Sequence, residues 1–192
     1  MPFVARWPGV IQAGNTCEEL IGLQDVFATF AGVSGQSLAP DQGVDSMSLE
    51  PLFRDANFNK GRSTMIQSSV RSWAIREGKW KLCLCPGSGC VGSYGNIPKQ
   101  EDAYREAVAK FGGDPEREDL LRAPFVQLFD LMDDPTESVN LASRYPDRVA
   151  SMIRIFDEQI ASGRSTPGPR QENDREGLNY LAGVPKFVLE DQ

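Results

Sequence analysis

The clearest hydrophobic pattern in the chain follows Pro146, where five apolar residues recur at helical spacing. They are Val149, Met152, Ile153, Phe156 and Ile160. This stripe predicts a helix that begins at Pro146, ends before Gly163 and covers the apolar face of a sheet. A second stripe predicts a helix over residues 101–111, with Gly112 and Gly113 ending it. Its members are Tyr104, Ala107, Val108 and Phe111.

Apolar positions near the start of the chain predict a strand followed by two helices. Residues 3–7 form a buried strand pattern that Pro8 and Gly9 interrupt. The first helix, which Gly32 can end, has one apolar face. This face consists of Leu23, Val26, Phe27, Phe30 and Ala31. The second helix is predicted after a cap at Asp45 or Ser46. Its apolar positions are Leu49, Leu52 and Phe53. One strand cannot supply the sheet that these helices need, so this region is predicted to lack its partner in the chain.

From Arg62 onward the pattern changes to antiparallel strands. A two-residue loop at Glu77 and Gly78 would pair Ile75 with Trp80 and Trp73 with Leu82, which gathers these four side chains on one face. The other face would be solvated. It would carry Ala74, Arg76, Lys79 and Lys81.

Composition and charge exclude several classes of function. The chain has no histidine, which excludes Ser-His and Cys-His nucleophilic schemes and histidine-bearing zinc sites. Its net charge of -7 argues against binding to nucleic acid or to an anionic membrane surface. No apolar run approaches the roughly 20 residues that span a bilayer. A self-sufficient hydrolase is therefore not expected.

Four segments, in order along the chain, resemble parts of the sulfatase family, in particular its arylsulfatase A-like members. The first runs through Trp7-Pro8-Gly9 to the helix at Asp25, and the second is the hairpin at residues 73–82 followed by residues 86–89. The third, residues 128–141, is similar to the C-terminal signature of the family, and the fourth is the tail that starts at residue 163. The match covers nearly the whole chain and indicates the C-terminal portion of a sulfatase.

The resemblance implies an α/β fold of the alkaline-phosphatase-like sulfatase type, in truncated form. Residues 1–60 would be the C-terminal end of the α/β catalytic domain, residues 61–163 a small α+β subdomain with an antiparallel sheet and packed helices, and residues 164–192 an extended tail. Many full-length relatives are periplasmic, extracellular or lysosomal, whereas the chain itself shows no signal peptide.

Sulfatases use a formylglycine, made from Cys or Ser in the pattern Cys/Ser-x-Pro-x-Arg, together with a calcium ion. The chain lacks this pattern. Its nearest equivalent, Cys85-Pro86-Gly87-Ser88-Gly89, has proline one place early and no arginine, so we expect no modification. Calcium and formylglycine are therefore implied for the full-length family and not for this chain. No catalytic residue is assigned, and the substrate-binding residues stay unknown.

Two clusters carry residue types that bind metals elsewhere. Cys83, Cys85 and Cys90 suggest a zinc site, a redox pair or a disulfide, but zinc would need further ligands and Cys17 is remote in sequence. Hairpin packing or a disulfide is favoured over a metal. Asp130, Asp133, Asp134 and Glu137 resemble oxygen ligands for calcium. Their spacing does not match an EF-hand loop, and Asp-Asp-Pro-Thr favours a turn in which carboxylates accept hydrogen bonds from backbone N–H groups.

A third cluster is basic and surrounds the hairpin. Arg71, Arg76, Lys79 and Lys81 suggest guidance of an anionic sulfate ester, with a solvated sheet face as the alternative. Relatives often carry histidines just before this hairpin, where the chain has Ile66 and Gln67. That departure argues against a substrate contact at this point.

Three hypotheses about function follow. The leading one is a C-terminal fragment that packs on the missing N-terminal catalytic segment, completes it, and is inactive alone. A sulfated small molecule or glycan would then be the substrate only in the full-length context. The second is a stand-alone, non-catalytic interaction module whose exposed apolar face is covered by a partner or a second copy. The third is a metal or redox protein based on cysteine.

Overall fold

The computed structural model describes residues 3–59, 61–69, 72–84 and 126–173. The chain forms two compact units. Unit 1 comprises Met1–Met65 and Glu158–Asp174, and unit 2 comprises Ile66–Asp157 and Arg175–Gln192. The helix predicted over residues 101–111 lies outside the described residues. The division of the chain at residues 60 and 163 stays a prediction.

A four-stranded sheet has three of its strands wholly within unit 2. Its strands are β1 (Thr64–Ser69), β2 (Ser72–Glu77), β3 (Trp80–Leu84) and β4 (Val126–Asp130). They lie in the order β1-β2-β3-β4. The β2/β3 and β3/β4 pairs are antiparallel. Because each strand neighbours the next along the chain, the topology is a meander.

The β2–β3 hairpin differs from its prediction in register. The two-residue loop is Gly78-Lys79, so Glu77 pairs with Trp80, and the predicted loop at Glu77-Gly78 is wrong. Gly78 takes a φ of 56°, in the left-handed region that favours glycine, which fixes it inside the loop. Ile75 consequently pairs with Leu82. The shift is by two residues, so the predicted division into two faces survives.

One face of the sheet holds most of the buried apolar residues of unit 2. The fully buried strand residues on it are Ile75, Leu82, Leu84 and Leu128. Helix α3 (Pro146–Ser162) contributes Met152 and Phe156, which are also buried, and the Phe156 ring meets the Trp73 ring edge-on with centroids 6.0 Å apart. The predicted helix and its apolar stripe are therefore confirmed.

The opposite face of the sheet is not the solvated surface that the hairpin alone predicts. Ala74, Cys83 and Phe129 form a second buried cluster there, with Leu131 packed against it. The prediction failed because β4 lies beside β3 and places Phe129 opposite Lys81 on this face. Of the three described basic residues of the hairpin, Arg76 and Lys81 are half-buried and Lys79, in the loop, is exposed.

Unit 1 contains helices α1 (Asp25–Val33) and α2 (Glu50–Arg54). Residues 3–7 form no strand, which corrects the prediction, and Val4 is 90% exposed. A strand requires a hydrogen-bonded neighbour, and no strand lies within described residues 3–59. The Trp7 carbonyl instead accepts hydrogen bonds from Val10 and Ile11 in a turn.

Helix α1 is present where the sequence predicts it, but its apolar stripe faces outward. Of the predicted stripe, Leu23, Phe27 and Phe30 are 65%, 55% and 69% exposed, whereas Val26 and Ala31 are half-buried. Val33, the last residue of the helix, is 44% exposed. Asp25 and Thr29 face inward and are buried. The polar side of this helix is thus its inner side within the chain.

Helix α2 begins without the predicted side-chain cap. Leu49 occupies the N-cap position, and Pro51 follows at the start of the helix. Asp45 and Ser46 are bound elsewhere, since Ser46 Oγ accepts a hydrogen bond from Ala28 N and Asp45 Oδ1 accepts one from Ser165 N. Long-range contacts therefore use both predicted capping groups.

Candidate functional site

The acidic segment at residues 130–137 and the basic hairpin loop, which the sequence presents as separate candidates, meet in unit 2. Lys79 Nζ lies 2.5 Å from Asp130 Oδ2. Lys81 Nζ lies 2.6 and 2.7 Å from the two carboxylate oxygens of Glu137. Two acidic residues of one candidate cluster therefore pair with two basic residues of the other, so neither cluster stands as a group of one charge.

The Lys79–Asp130 pair changes the proton affinity of both of its members. The hydrogen bond from Lys79 lowers the pKa of Asp130 below its ordinary value, and the same bond raises the pKa of Lys79. Both groups are thus held in their charged forms over a wider pH range than in an unfolded chain. Such stabilised charges position a loop and do not exchange protons near neutral pH.

Asp134 organises the turn that follows β4. Its carboxylate accepts backbone hydrogen bonds from Ser138 N at 2.8 Å and Val139 N at 2.9 Å, and it also accepts the hydroxyls of Thr136 and Ser138. The bond from Val139 N is the largest cause of a lowered pKa at Asp134. This is the capping role that the Asp-Asp-Pro-Thr sequence predicts.

The same segment closes the outer edge of β4. Asn140 Oδ1 accepts a hydrogen bond from Leu128 N at 3.0 Å, and Asn140 Nδ2 donates one to the Val126 carbonyl at 3.2 Å. Leu141 N donates to the Leu128 carbonyl at 2.8 Å. Since β4 is at the end of the strand order, these bonds replace those of a fifth strand.

The acidic segment does not fit a calcium ion. A calcium site needs six to eight oxygen ligands directed at one point. Here the Asp130, Asp134 and Glu137 carboxylates are engaged by Lys79, by the turn and by Lys81. Among the described residues no group of three Asp, Glu, His or Cys side chains is arranged to hold a metal ion.

The structure tests the remaining sequence candidates only in part. Cys83 is buried on β3 and Cys17 is exposed in unit 1. Cys85, Cys90 and Arg71 lie outside the described residues, so the cysteine cluster stays a prediction. Arg76 donates from Nε to the Gly78 carbonyl at 3.0 Å, which supports the hairpin loop. Gln67 is exposed on β1 beside the half-buried Ile66.

Sequence reasoning missed a polar centre in unit 1, here called the Asp25 hub. Asp25 is fully buried and accepts hydrogen bonds from Gly22 N at 2.9 Å, Met47 N at 2.9 Å and Arg62 Nη2 at 2.6 Å. Thr29, one turn along α1, accepts a bond from Leu49 N at 2.8 Å. The hub ties the inner side of α1 to the segment that leads into α2.

Arg62 is an unusual member of the hub. Its side chain is 1% exposed, and Nη2 donates to Asp25 and to the Asp45 carbonyl. Nε and Nη1 are buried without a hydrogen-bond partner within the described part of the chain. Buried donors without partners are costly, so the guanidinium depends strongly on the Asp25 carboxylate. The one clue in the sequence was that Asp25 is the only charged residue in an otherwise uncharged helix.

Unit 1 also contains an open cleft of about 550 Å³. It lies between the irregular N-terminal segment and α2, and it is lined by apolar residues that include Phe3, Ile21, Leu52 and Phe53, with Cys17 at its wall. Glu18 and Glu19 also line the cleft, and among the described residues no group is arranged there to hold a metal ion. The cleft therefore has an apolar lining with a thiol and two carboxylates at its wall.

Comparisons with known proteins point in one direction. No protein-family model matches the chain. The chain is 31% identical over 156 residues to the ulvan-active sulfatase of Formosa agariphila, covering 77% of the chain and 29% of that protein. It is 35% identical over 175 residues to arylsulfatase H of Homo sapiens, covering 89% of the chain and 30% of that protein. The chain therefore spans less than a third of the length of these relatives.

A solved structure supports the fold. The crystal structure of Ps i-CgsB in complex with k-i-k-neocarrahexaose aligns with a TM-score of 0.53 at 18% identity, covering 94% of this chain and 33% of that one. At this identity the likeness bears on the fold alone. Within the described residues, no helix has the length and apolar character needed to cross a membrane.

Proposed function

Because the chain belongs to the sulfatase family, and its partial coverage of each relative fits a C-terminal portion, we propose that it packs on the catalytic segment of a sulfatase and completes it. Its fold is a partial α/β domain of the alkaline-phosphatase-like sulfatase type, with an antiparallel four-stranded sheet and helices. The proposed role is structural: the chain supplies packing for an active site that it does not itself contain.

The observation that carries this proposal is the apolar surface of unit 1. Its exposed large apolar residues are Phe3, Val4, Leu23, Phe27, Phe30, Val33 and Phe58. Large exposed apolar patches mark surfaces that bind another protein. In α/β folds, helices bury their apolar sides on a sheet, and residues 3–59 provide helices without a strand. A missing sheet in the rest of a sulfatase accounts for both facts.

The sequence also supports the proposal that the chain has no turnover alone. The pattern that yields formylglycine is absent, and so is every histidine. The acidic residues that most resemble a set of calcium ligands are bound by Lys79, by Lys81 and within the turn at Asp134. In the complete protein, the upstream segment would provide the formylglycine, the calcium ligands and the contacts to a sulfated small molecule or glycan.

A complementation assay tests this function. The purified chain is incubated with a chromogenic aryl sulfate and calcium, alone and with the part of the ulvan-active sulfatase that lies outside the matched region and carries formylglycine. That part with its own native remainder is the positive control, and that part alone is the negative control. Hydrolysis only in the mixture is expected.

The other outcomes separate the hypotheses. Hydrolysis by the chain alone would refute the proposal that it is inactive by itself. Hydrolysis in neither case, with a working positive control, would refute the completing role and return attention to a stand-alone interaction module. The mixture and the negative control use the same substrate and conditions, so a difference in hydrolysis between them is due to the chain.

A further inference from the structure

The outward side of α1 carries exposed apolar side chains, here called the α1 face. It consists of Phe27, Phe30 and Val33 of the helix and Leu23 just before it, all of them exposed. Phe27 also leans against Gly43, where its ring carbon lies 3.0 Å from the position that a Cβ would occupy. Phe30 is the most exposed of the four, at 69%.

The Asp25 hub fixes which side of α1 faces outward. Asp25 binds Met47 N and Arg62, and Thr29 accepts a bond from Leu49 N. Ala28 N, in addition, donates to Ser46 Oγ at 2.8 Å. Rotation of the helix to bury Phe30 would break these bonds, including the buried ion pair between Asp25 and Arg62. The outward direction of the α1 face is therefore built into unit 1.

The α1 face has the composition of an interior surface. Asp25 is the only charged residue of the nine in α1, and it points inward. A helix side that faces water normally carries charged or polar residues. By contrast α3, which does have a solvent side, carries charged residues such as Arg154, Asp157 and Glu158. The α1 face is thus suited to contact with an apolar surface.

We propose that the α1 face docks on the apolar face of a β-sheet in the upstream segment of the sulfatase. This inference rests on the proposed function and assigns the docking surface within it. The occupant is a sheet because the α/β fold places helices on sheets, and no strand is found in described residues 3–59. It lies outside the chain because the chain covers less than a third of each relative.

Binding measurements with matched variants test the assignment. The probe is the same non-matching part of the ulvan-active sulfatase, titrated against the full chain by calorimetry. The Phe30→Ser variant loses most of the apolar area that Phe30 would bury on binding. Its dissociation constant should therefore rise roughly tenfold. Met132→Ser is the control, because Met132 is an exposed large apolar residue of unit 2 and lies outside the apolar surface of unit 1. It should change the dissociation constant by less than about twofold.

Each outcome has a defined meaning. Unchanged binding by Phe30→Ser, or equal loss in both variants, would overturn the assignment to α1 even if complementation succeeds. No binding by the unmodified chain would overturn both the inference and the proposed function. A chain that sediments as a dimer, and becomes monomeric with Phe30→Ser, would replace the sheet with a second copy as occupant. Circular dichroism of each variant confirms that the fold is kept.

Discussion

The Asp25 hub gives the sharpest stability prediction in unit 1. Replacement of Asp25 by Asn keeps the size of the side chain and removes its charge. The carboxylate now accepts bonds from Gly22 N, Met47 N and Arg62 Nη2, whereas an amide has one acceptor oxygen and a donor NH₂ group. At least one of these donors would therefore face another donor.

The magnitude follows from the burial of the pair. Asp25 is fully buried and the Arg62 side chain is 1% exposed, so solvent cannot replace the lost charge. Removal of one partner from a buried ion pair costs about 3–5 kcal/mol, a large part of the 5–15 kcal/mol that stabilises a typical domain. Arg62→Met should cost less, because Asp25 keeps its two backbone donors and two unpartnered nitrogens are removed.

Urea unfolding with hydrogen exchange read by mass spectrometry checks this prediction, since peptides of α1 report on unit 1 directly. The control is Arg54→Ala, which breaks the exposed pair with Glu50 and should cost at most about 0.5 kcal/mol. A loss below about 1 kcal/mol for Asp25→Asn, or one equal to that of the control, would refute the reasoning that the hub holds unit 1 together.

Three further predictions concern unit 2, each measured by urea unfolding. Asn140→Ala should cost about 1–3 kcal/mol because Leu128 N loses its acceptor. Asn140→Asp should also destabilise, because it sets a carboxylate oxygen against the Val126 carbonyl that Asn140 Nδ2 now binds. Folding lowers the pKa of Asp134 from 3.8. Its contribution to the free energy of unfolding is therefore present above pH 3.8 and is lost as the pH falls through the folded pKa. Asp134→Asn should flatten this decline in stability below about pH 4. Gly78→Ala should cost about 1 kcal/mol, since φ at this position is 56°.

Local patterns predicted the β2–β3 hairpin and helix α3. The stripe after Pro146 gave α3 because five apolar residues at helical spacing are read without knowledge of distant contacts. The two faces of the β2–β3 hairpin were correct although the register was wrong, since a shift of two residues preserves alternation. The position of the loop depended on the backbone conformation of Gly78, which the sequence alone left open.

Features that depend on distant residues could not be predicted. Lys79 and Lys81 find their partners 51 and 56 residues away, so the sequence showed two clusters of opposite charge and no pairing. Asp25 reaches Arg62 across 37 residues, and this contact decides which side of α1 is buried. The strand predicted at residues 3–7 failed for the same reason, because a strand exists only with a neighbour.

The bonds that Asn140 and Leu141 make along β4 have a consequence for how the chain behaves at high concentration. An open edge strand offers free N–H and C=O groups to strands of other molecules and is a common route to aggregation. Here Asn140 and Leu141 already occupy the outward groups of Val126 and Leu128. Fibre-like growth by strand addition at the β4 edge is therefore blocked.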